Sequence, residues 1–254
     1  MSASTAWLIL GLGLGPLVGS FIGLLSLRLP QGRPVILGRS ACPACATPLG
    51  VPDLVPILSF LALRGRCRHC RAPIPRRYLS LELACLCLAG WSLAVHPGPQ
   101  GLAGAGLAWQ LLLLAVLGAR HFLPPPIPTL PLIVTGLAAS LIPGQGAEWT
   151  GPAWSLLGAA LGFLSLALLG LAYRRLRGRE GLGGGDAYLL AGGGAWCGAA
   201  ALPTILLIAA GAGLASVLVL KAAGRPMRAQ DPVPFGVFLA LGIWLTWLHG
   251  PLGG

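Results

Sequence analysis

Between Asp186 and Lys221 the chain carries no charged residue. That run is longer than the roughly 20 residues one bilayer crossing needs. It is bounded by Arg174, Arg175, Arg177 and Arg179 on one side and by Lys221, Arg225 and Arg228 on the other. Basic clusters stay on the cytoplasmic side of a membrane, so both ends of the run want the same side. The run must therefore cross an even number of times. Two short helices with a turn near residues 198–203 meet that demand, and one long helix does not. Asp186 opens the run, directly after Gly183, Gly184 and Gly185. A carboxylate at the mouth of a membrane-length apolar segment is costly and points to chemistry.

The rest of the chain repeats the pattern. Apolar segments are expected at 5–27, 79–96, 101–119, 127–143, 153–173, 187–201, 202–220 and 234–250, each near the length of a bilayer core. Composition agrees: 56% of the 254 residues are hydrophobic, 9% are charged, and the mean hydropathy is +0.82. The 39 Gly and 23 Pro suit close helix packing and interrupted helices in lipid, and they follow no collagen-like period. No internal repeat is evident. With eight crossings every Lys and Arg falls on one side. The N-terminus is then outside, and the segment after the first span is cytoplasmic. The first span is not a secretory signal peptide, because the residues before it carry no positive charge. The net charge of +11 is explained by topology and by affinity for membrane lipid. No basic groove interleaved with aromatics supports a nucleic-acid partner.

The one soluble segment, 28–78, is rich in Pro and Arg and reads as loops and short turns. It contains Cys42-Pro43-Ala44-Cys45 and Cys67-Arg68-His69-Cys70. Two residues between cysteines let the backbone turn so that both sulfurs face one ion, and two such knuckles match a structural zinc site. A reducing cytoplasm favours metal over disulfides. Cys42, Cys45, Cys67 and Cys70 are the expected zinc ligands, and His69 is expected in solvent. Cys85, Cys87 and Cys197 read as small apolar residues of spans. The expected fold class is an all-α polytopic membrane protein, with about eight transmembrane helices and a small cytoplasmic zinc-ribbon-like insertion. The expected division is a first helix (1–27), a four-cysteine zinc-binding domain (28–78) and a membrane domain (79–254).

Several motifs, in this order and spacing, resemble the bacterial prepilin peptidases, polytopic aspartic proteases of the GxGD type. Gly19-Ser20-Phe21 with Arg28-Leu29-Pro30 is similar to the end of that family's first span. The knuckles flank Val55-Pro56-Ile57-Leu58-Ser59 and Leu63-Arg64-Gly65-Arg66-Cys67. Arg77-Tyr78 followed by Glu82 resembles the entry into the second span. Gly183-Gly184-Gly185-Asp186 looks like the GxGD motif, and Pro234-Phe235-Gly236-Val237-Phe238 resembles a late PFGPF-type motif, with Val237 in place of a proline. The resemblance implies cleavage of the basic leader from type IV prepilins or type II secretion pseudopilins at the cytoplasmic side of the inner membrane. It further implies N-methylation of the new N-terminus, with S-adenosylmethionine as donor. Asp186 is the implied catalytic acid.

An aspartic protease needs two carboxylates sharing one proton: one activates water while its protonated partner polarises the scissile carbonyl. Laying Leu123-Pro124 through Leu130-Pro131-Leu132 on the family's Leu-Pro-Asp segment puts the partner aspartate at Gly118. The Asp of that segment falls at Pro126. The chain has six acids in all: Asp53, Glu82, Glu148, Glu180, Asp186 and Asp231. Four readings follow. In one, a peptidase-inactive relative binds prepilin or serves as a membrane scaffold. In another, Glu82 or Asp231 replaces the missing acid. In a third, the site is intact and a different alignment supplies the partner, although no acid lies between residues 83 and 147. In the fourth, methylation or prepilin binding is the main role. As a structural group, Asp186 is expected to cap a helix N-terminus. Glu82 is expected to pair with Arg76 and Arg77, and Asp231 to order a loop among Arg225 and Arg228.

Overall fold

A computed structural model describes residues 3–35, 40–121, 126–142, 151–178, 183–224 and 234–252. All eight apolar segments are helical: α1 (Ala3–Arg28), α3 (Arg77–Val95), α4 (Pro99–His121), α5 (Pro126–Ser140), α6 (Pro152–Arg177), α7 (Asp186–Cys197), α8 (Leu202–Ala222) and α9 (Phe235–His249). A further, five-residue helix, α2 (Leu58–Ala62), lies between the knuckles. The protein is an all-α, multi-pass membrane protein. Among the described residues, five stretches are long and apolar enough to cross a bilayer: Ala3–Gln31, Arg77–Val95, Pro99–Ala119, Pro152–Arg177 and Ala199–Ala222. The helices α5, α7 and α9 are apolar but shorter. The uncharged run does break in two. Gly198 ends α7 at φ +78°, a 3-10 turn follows over Ala199–Ala201, and Pro203 sits in the first turn of α8. Glycine tolerates that φ and proline fits a helix start, so the sequence stops one helix and begins another.

The chain divides into two compact units, Met1–Trp109 and Gln110–Gly254. In the first, α1 and α3 pack antiparallel along Gly11, Gly15, Gly19 and Gly23, one residue per helical turn. The approach is close: a Cβ on Gly19 would lie 2.5 Å from the Glu82 Cα, and one on Gly15 2.9 Å from the Cys85 carbonyl oxygen. In lipid no hydrophobic gain drives helices together, so backbone proximity of this kind supplies the association. Trp109 Nε1 donates to the Cys85 carbonyl (3.0 Å) and ties α4 to this pair.

In the second unit α7 is the central helix, buried from Leu189 to Cys197. It runs antiparallel to α6, where Gly158 abuts Gly194 and Gly162 abuts Leu190. It runs parallel to α5, where Leu132 fills the space over Gly192 and accepts from Trp196 Nε1 at 3.0 Å. It runs parallel to α9 as well, with Gly193 against Ile243. Consequently the starts of α5, α7 and α9 and the basic end of α6 share one end of the bundle. Antiparallel packing of α8 on α9, through Gly242 on Ile205 and Gly213 on Phe238, brings Lys221 to that end too.

Candidate metal centre and membrane aspartate

The two knuckles are built alike, with an offset of 25 residues that their dissimilar side chains conceal. In each, the residue after the second cysteine takes a left-handed backbone, Ala46 at φ +56° and Arg71 at φ +60°. Its N–H donates to the first cysteine's carbonyl, at 2.8 Å for Cys42 and 3.1 Å for Cys67. The first cysteine donates in turn to the carbonyls of Thr47 and Ala72, and the bridges Ala41–Pro48 and Arg66–Pro73 close the two turns. Holding non-glycine residues at positive φ is unfavourable and persists where the surroundings over-determine it. An ion shared between the knuckles would supply that constraint.

The four sulfurs lie within 4.8 Å of one another, and Cys42 Sγ is 3.8 Å from Cys70 Sγ. A tetrahedron of Zn–S bonds about 2.3 Å long has S···S edges of about 3.8 Å, so this donor set fits zinc. The electrostatics agree. The Thr47 hydroxyl and its backbone N–H push the Cys45 thiol down to about 6. Backbone N–H groups of Cys70 and His69 lower Cys67. Cys70 receives a backbone hydrogen bond from Ala72, yet burial and the other three sulfurs push it up to about 11. Four thiolates at this spacing resist ionising together, and a dication relieves that repulsion. His69 is exposed, as the sequence suggests. Asp53 pairs with Arg68 at 2.7 Å, joining the inter-knuckle segment to the second knuckle, and the Arg68 guanidinium holds its carboxyl below the usual range.

Glu82 departs from expectation. Its Oε2 accepts from the Ile57 N–H at 2.7 Å, and the Ser20 side chain supplies a further hydrogen bond. The expected pairing with Arg76 and Arg77 is not the one formed. The residue is only 6% exposed, so an unmet carboxylate there would be costly, and a backbone donor meets that need. Both of these partners are structural, which gives Glu82 a tethering role.

Asp186 begins α7, the helix around which the second unit is packed. A carboxylate in a first helical turn is favoured by the helix dipole. The cap position expected of it is held by Gly185. Its side chain instead accepts from the Gly183 N–H, and its own N–H donates to the Gly183 carbonyl at 3.0 Å. Being the first residue inside the helix, it reaches back to the glycine turn rather than forward to the helix N–H groups. Two glycines flank the carboxylate. A Cβ on Gly183 would stand 3.3 Å from Oδ2, and one on Gly236 at the start of α9 would stand 3.0 Å from Oδ1. The late motif around Gly236 is thus brought to Asp186, and the missing side chain leaves room beside the carboxylate. Gly118 lies near the end of α4. Thr135 Oγ1 contacts Gln110 Oε1 at 3.1 Å, so α4 runs back along α5 and brings residue 118 toward the end of the bundle that holds Asp186. It is exposed, and a Cβ built there meets nothing within 4 Å.

Comparison with known proteins completes the picture. Residues 14–96 match the bacterial peptidase A24 N-terminal domain, and residues 105–218 match the type IV leader peptidase family. A prepilin leader peptidase/N-methyltransferase of Burkholderia pseudomallei is 41% identical over 93% of this chain and 84% of its own. The chain belongs to the type IV leader peptidase family. Prepilin leader peptidase/N-methyltransferases of Pseudomonas aeruginosa (36% identical, over 93% of this chain and 88% of its own) and Aeromonas hydrophila (38%, over 85% and 73%) are similarly close. No solved structure matches. In this family member Asp186 and Gly118 occupy one unit and the four-cysteine centre the other, while Glu148, Glu180 and Asp231 lie outside the described residues.

Proposed function

We propose that this protein acts on the N-terminal segment of a type IV prepilin or type II secretion pseudopilin, as a leader peptidase with N-methyltransferase function at the cytoplasmic face of the bacterial inner membrane. The observation that carries this reading is Asp186, held at the start of the buried helix α7 with open glycine surface on both sides of its carboxylate. Relatives that align along nearly the whole chain are named for both activities. The eight-crossing topology supports it: Arg174, Arg175, Arg177 and Lys221 gather at the Asp186 end of the bundle, which the positive-inside rule makes cytoplasmic. In this topology the N-terminus is external and the four-cysteine loop cytoplasmic. The working division is a first helix (1–27), a zinc-binding four-cysteine domain (28–78) and the membrane peptidase-like domain (79–254).

In hydrolysis Asp186 shares a proton with a second acid across the attacking water. S-adenosylmethionine supplies the methyl group to the new N-terminus, and no residue of this chain is assigned to it. Zinc at Cys42, Cys45, Cys67 and Cys70 holds the loop rather than taking part in either step.

Gly118 favours a second reading. The family position of the partner acid is an exposed glycine, and Glu82 is engaged by Ile57, which leaves Asp231 as the remaining substitute. Without a substitute acid the protein is a peptidase-inactive relative that binds prepilin or scaffolds the membrane assembly. A cleavage assay in nanodiscs separates the readings, using wild type, Asp186→Ala, Asp231→Asn and Gly118→Asp with a prepilin substrate. Wild-type cleavage that Asp186→Ala and Asp231→Asn both abolish supports hydrolysis with a replaced partner. Cleavage that appears only with Gly118→Asp supports the inactive relative, and the open space at 118 accommodates that side chain. Cleavage that survives Asp186→Ala rules out the aspartic mechanism.

A further inference from the structure

The segment between the two knuckles carries apolar side chains in a position that neither the metal centre nor the aspartate explains. Val51 is 80% exposed, Leu58 66% and Leu61 60%, and Leu54 and Val55 are exposed beside them. In water this patch would be a liability in so small a loop. Phe60 turns inward instead, under Gly65.

The tether shows where the patch sits. Glu82 holds the Ile57 N–H and the Ser20 side chain together. Ser20 lies eight residues before Arg28, the first charged residue of α1, which is about 12 Å along the helix axis at about 1.5 Å per residue. Glu82 lies five residues beyond Arg77, about 8 Å by the same rise. The segment therefore folds back along α1 and α3, past the layer of Arg28, Arg76 and Arg77, to a level where both helices are apolar. Backbone at that depth needs its polar groups met internally. The Ile57 N–H is met by Glu82, the Ser59 N–H by the Val55 carbonyl, and the Leu61 N–H by the Ile57 carbonyl.

We infer that residues 51–61 form an interfacial anchor, with Val51, Leu54, Val55, Leu58 and Leu61 seated in the headgroup–acyl boundary of the leaflet on the Arg28 and Arg77 side. Apolar side chains flanked by arginines match the chemistry of such a boundary. Arg33, Arg64, Arg66 and Arg71 are exposed in the same loop, and Asp53 is the one acid between Arg28 and Arg77. The anchor holds the four-cysteine centre against the membrane, whatever reaction the protein performs.

Depth-resolved quenching tests this in the full chain. A fluorescent amino acid is introduced at Leu61, and separately at exposed Ala44 of the first knuckle, in nanodiscs, with zinc content confirming that the loop is folded. Lipids brominated at shallow acyl carbons are expected to quench the probe at 61 several-fold more than the probe at 44, with aqueous iodide showing the reverse order. Iodide quenching at 61 equal to that at 44 overturns the anchor. So does a probe at 61 that is water-exposed until a prepilin peptide shields it, which marks a protein-docking face. A probe at 61 that neither quencher reaches is covered by protein, and it overturns the anchor as well.

Discussion

Replacing Cys67 with serine is expected to abolish zinc binding and to unfold the loop between α1 and α3. Cys67 is buried, sits within 4.8 Å of three other sulfurs, and is the first cysteine of a knuckle whose hydrogen bonds depend on its backbone. The loop has little else to hold it. Its largest apolar side chains are mostly exposed, and its Asp53–Arg68 pair is at the surface, where such pairs contribute little. Structural zinc contributes about 10–16 kcal/mol of apparent binding energy in small zinc domains, so losing a ligand removes the dominant stabilising term. Metal content is expected to fall from about one zinc per chain to near none, and trypsin to cut rapidly at the loop arginines. Cys87→Ser, at an exposed cysteine of α3, leaves both properties unchanged. A Cys67→Ser protein that keeps its zinc and its protease resistance contradicts the metal assignment.

A leucine at position 19 separates α1 from α3. A Cβ there already falls 2.5 Å from the Glu82 Cα and 2.7 Å from the Leu81 carbonyl oxygen, atoms of a helix backbone that cannot rotate away. Overpacking by single methylenes costs about 1–3 kcal/mol, and a whole isobutyl group against backbone sits at or beyond the top of that range. The displacement also pulls Glu82 from Ile57, so damage at the helix pair spreads to the loop. Gly13→Leu is the matched control, because a Cβ at Gly13 meets nothing within 4 Å. Thermal unfolding in nanodiscs reads the difference: Gly19→Leu lowers the midpoint by several degrees or more, and Gly13→Leu leaves it near wild type. Equal midpoints for the two variants would contradict the close packing.

The eight helices are legible in the sequence because apolar length and basic flanks are strong local signals, and Gly198 with Pro203 marks the break between α7 and α8 by backbone chemistry alone. The four-cysteine cluster is legible from spacing. The likeness of the two knuckles is not, because it resides in φ angles and hydrogen bonds while the side chains at matching positions differ. Proximity in sequence makes the neighbouring arginines the natural partners of Glu82. Its actual partner, Ile57, is 25 residues away, and a backbone N–H leaves no mark in composition. The glycines at 11, 15, 19 and 23 are visible, but which helix they face depends on tertiary packing. Gly236 belongs to a motif, yet only the parallel packing of α9 on α7 reveals that it borders Asp186. Asp186 itself is legible as a costly carboxylate, and its place on the central helix of its unit comes from the fold.

The intact mass of a pilin processed in cells that depend on this protein tests the role of Asp186 most directly. Wild type is predicted to yield pilin that lacks its leader and carries one added methyl group, and Asp186→Ala to yield pilin with the leader intact. Mature pilin from the Asp186→Ala strain, or unprocessed pilin from the wild type, would contradict the account.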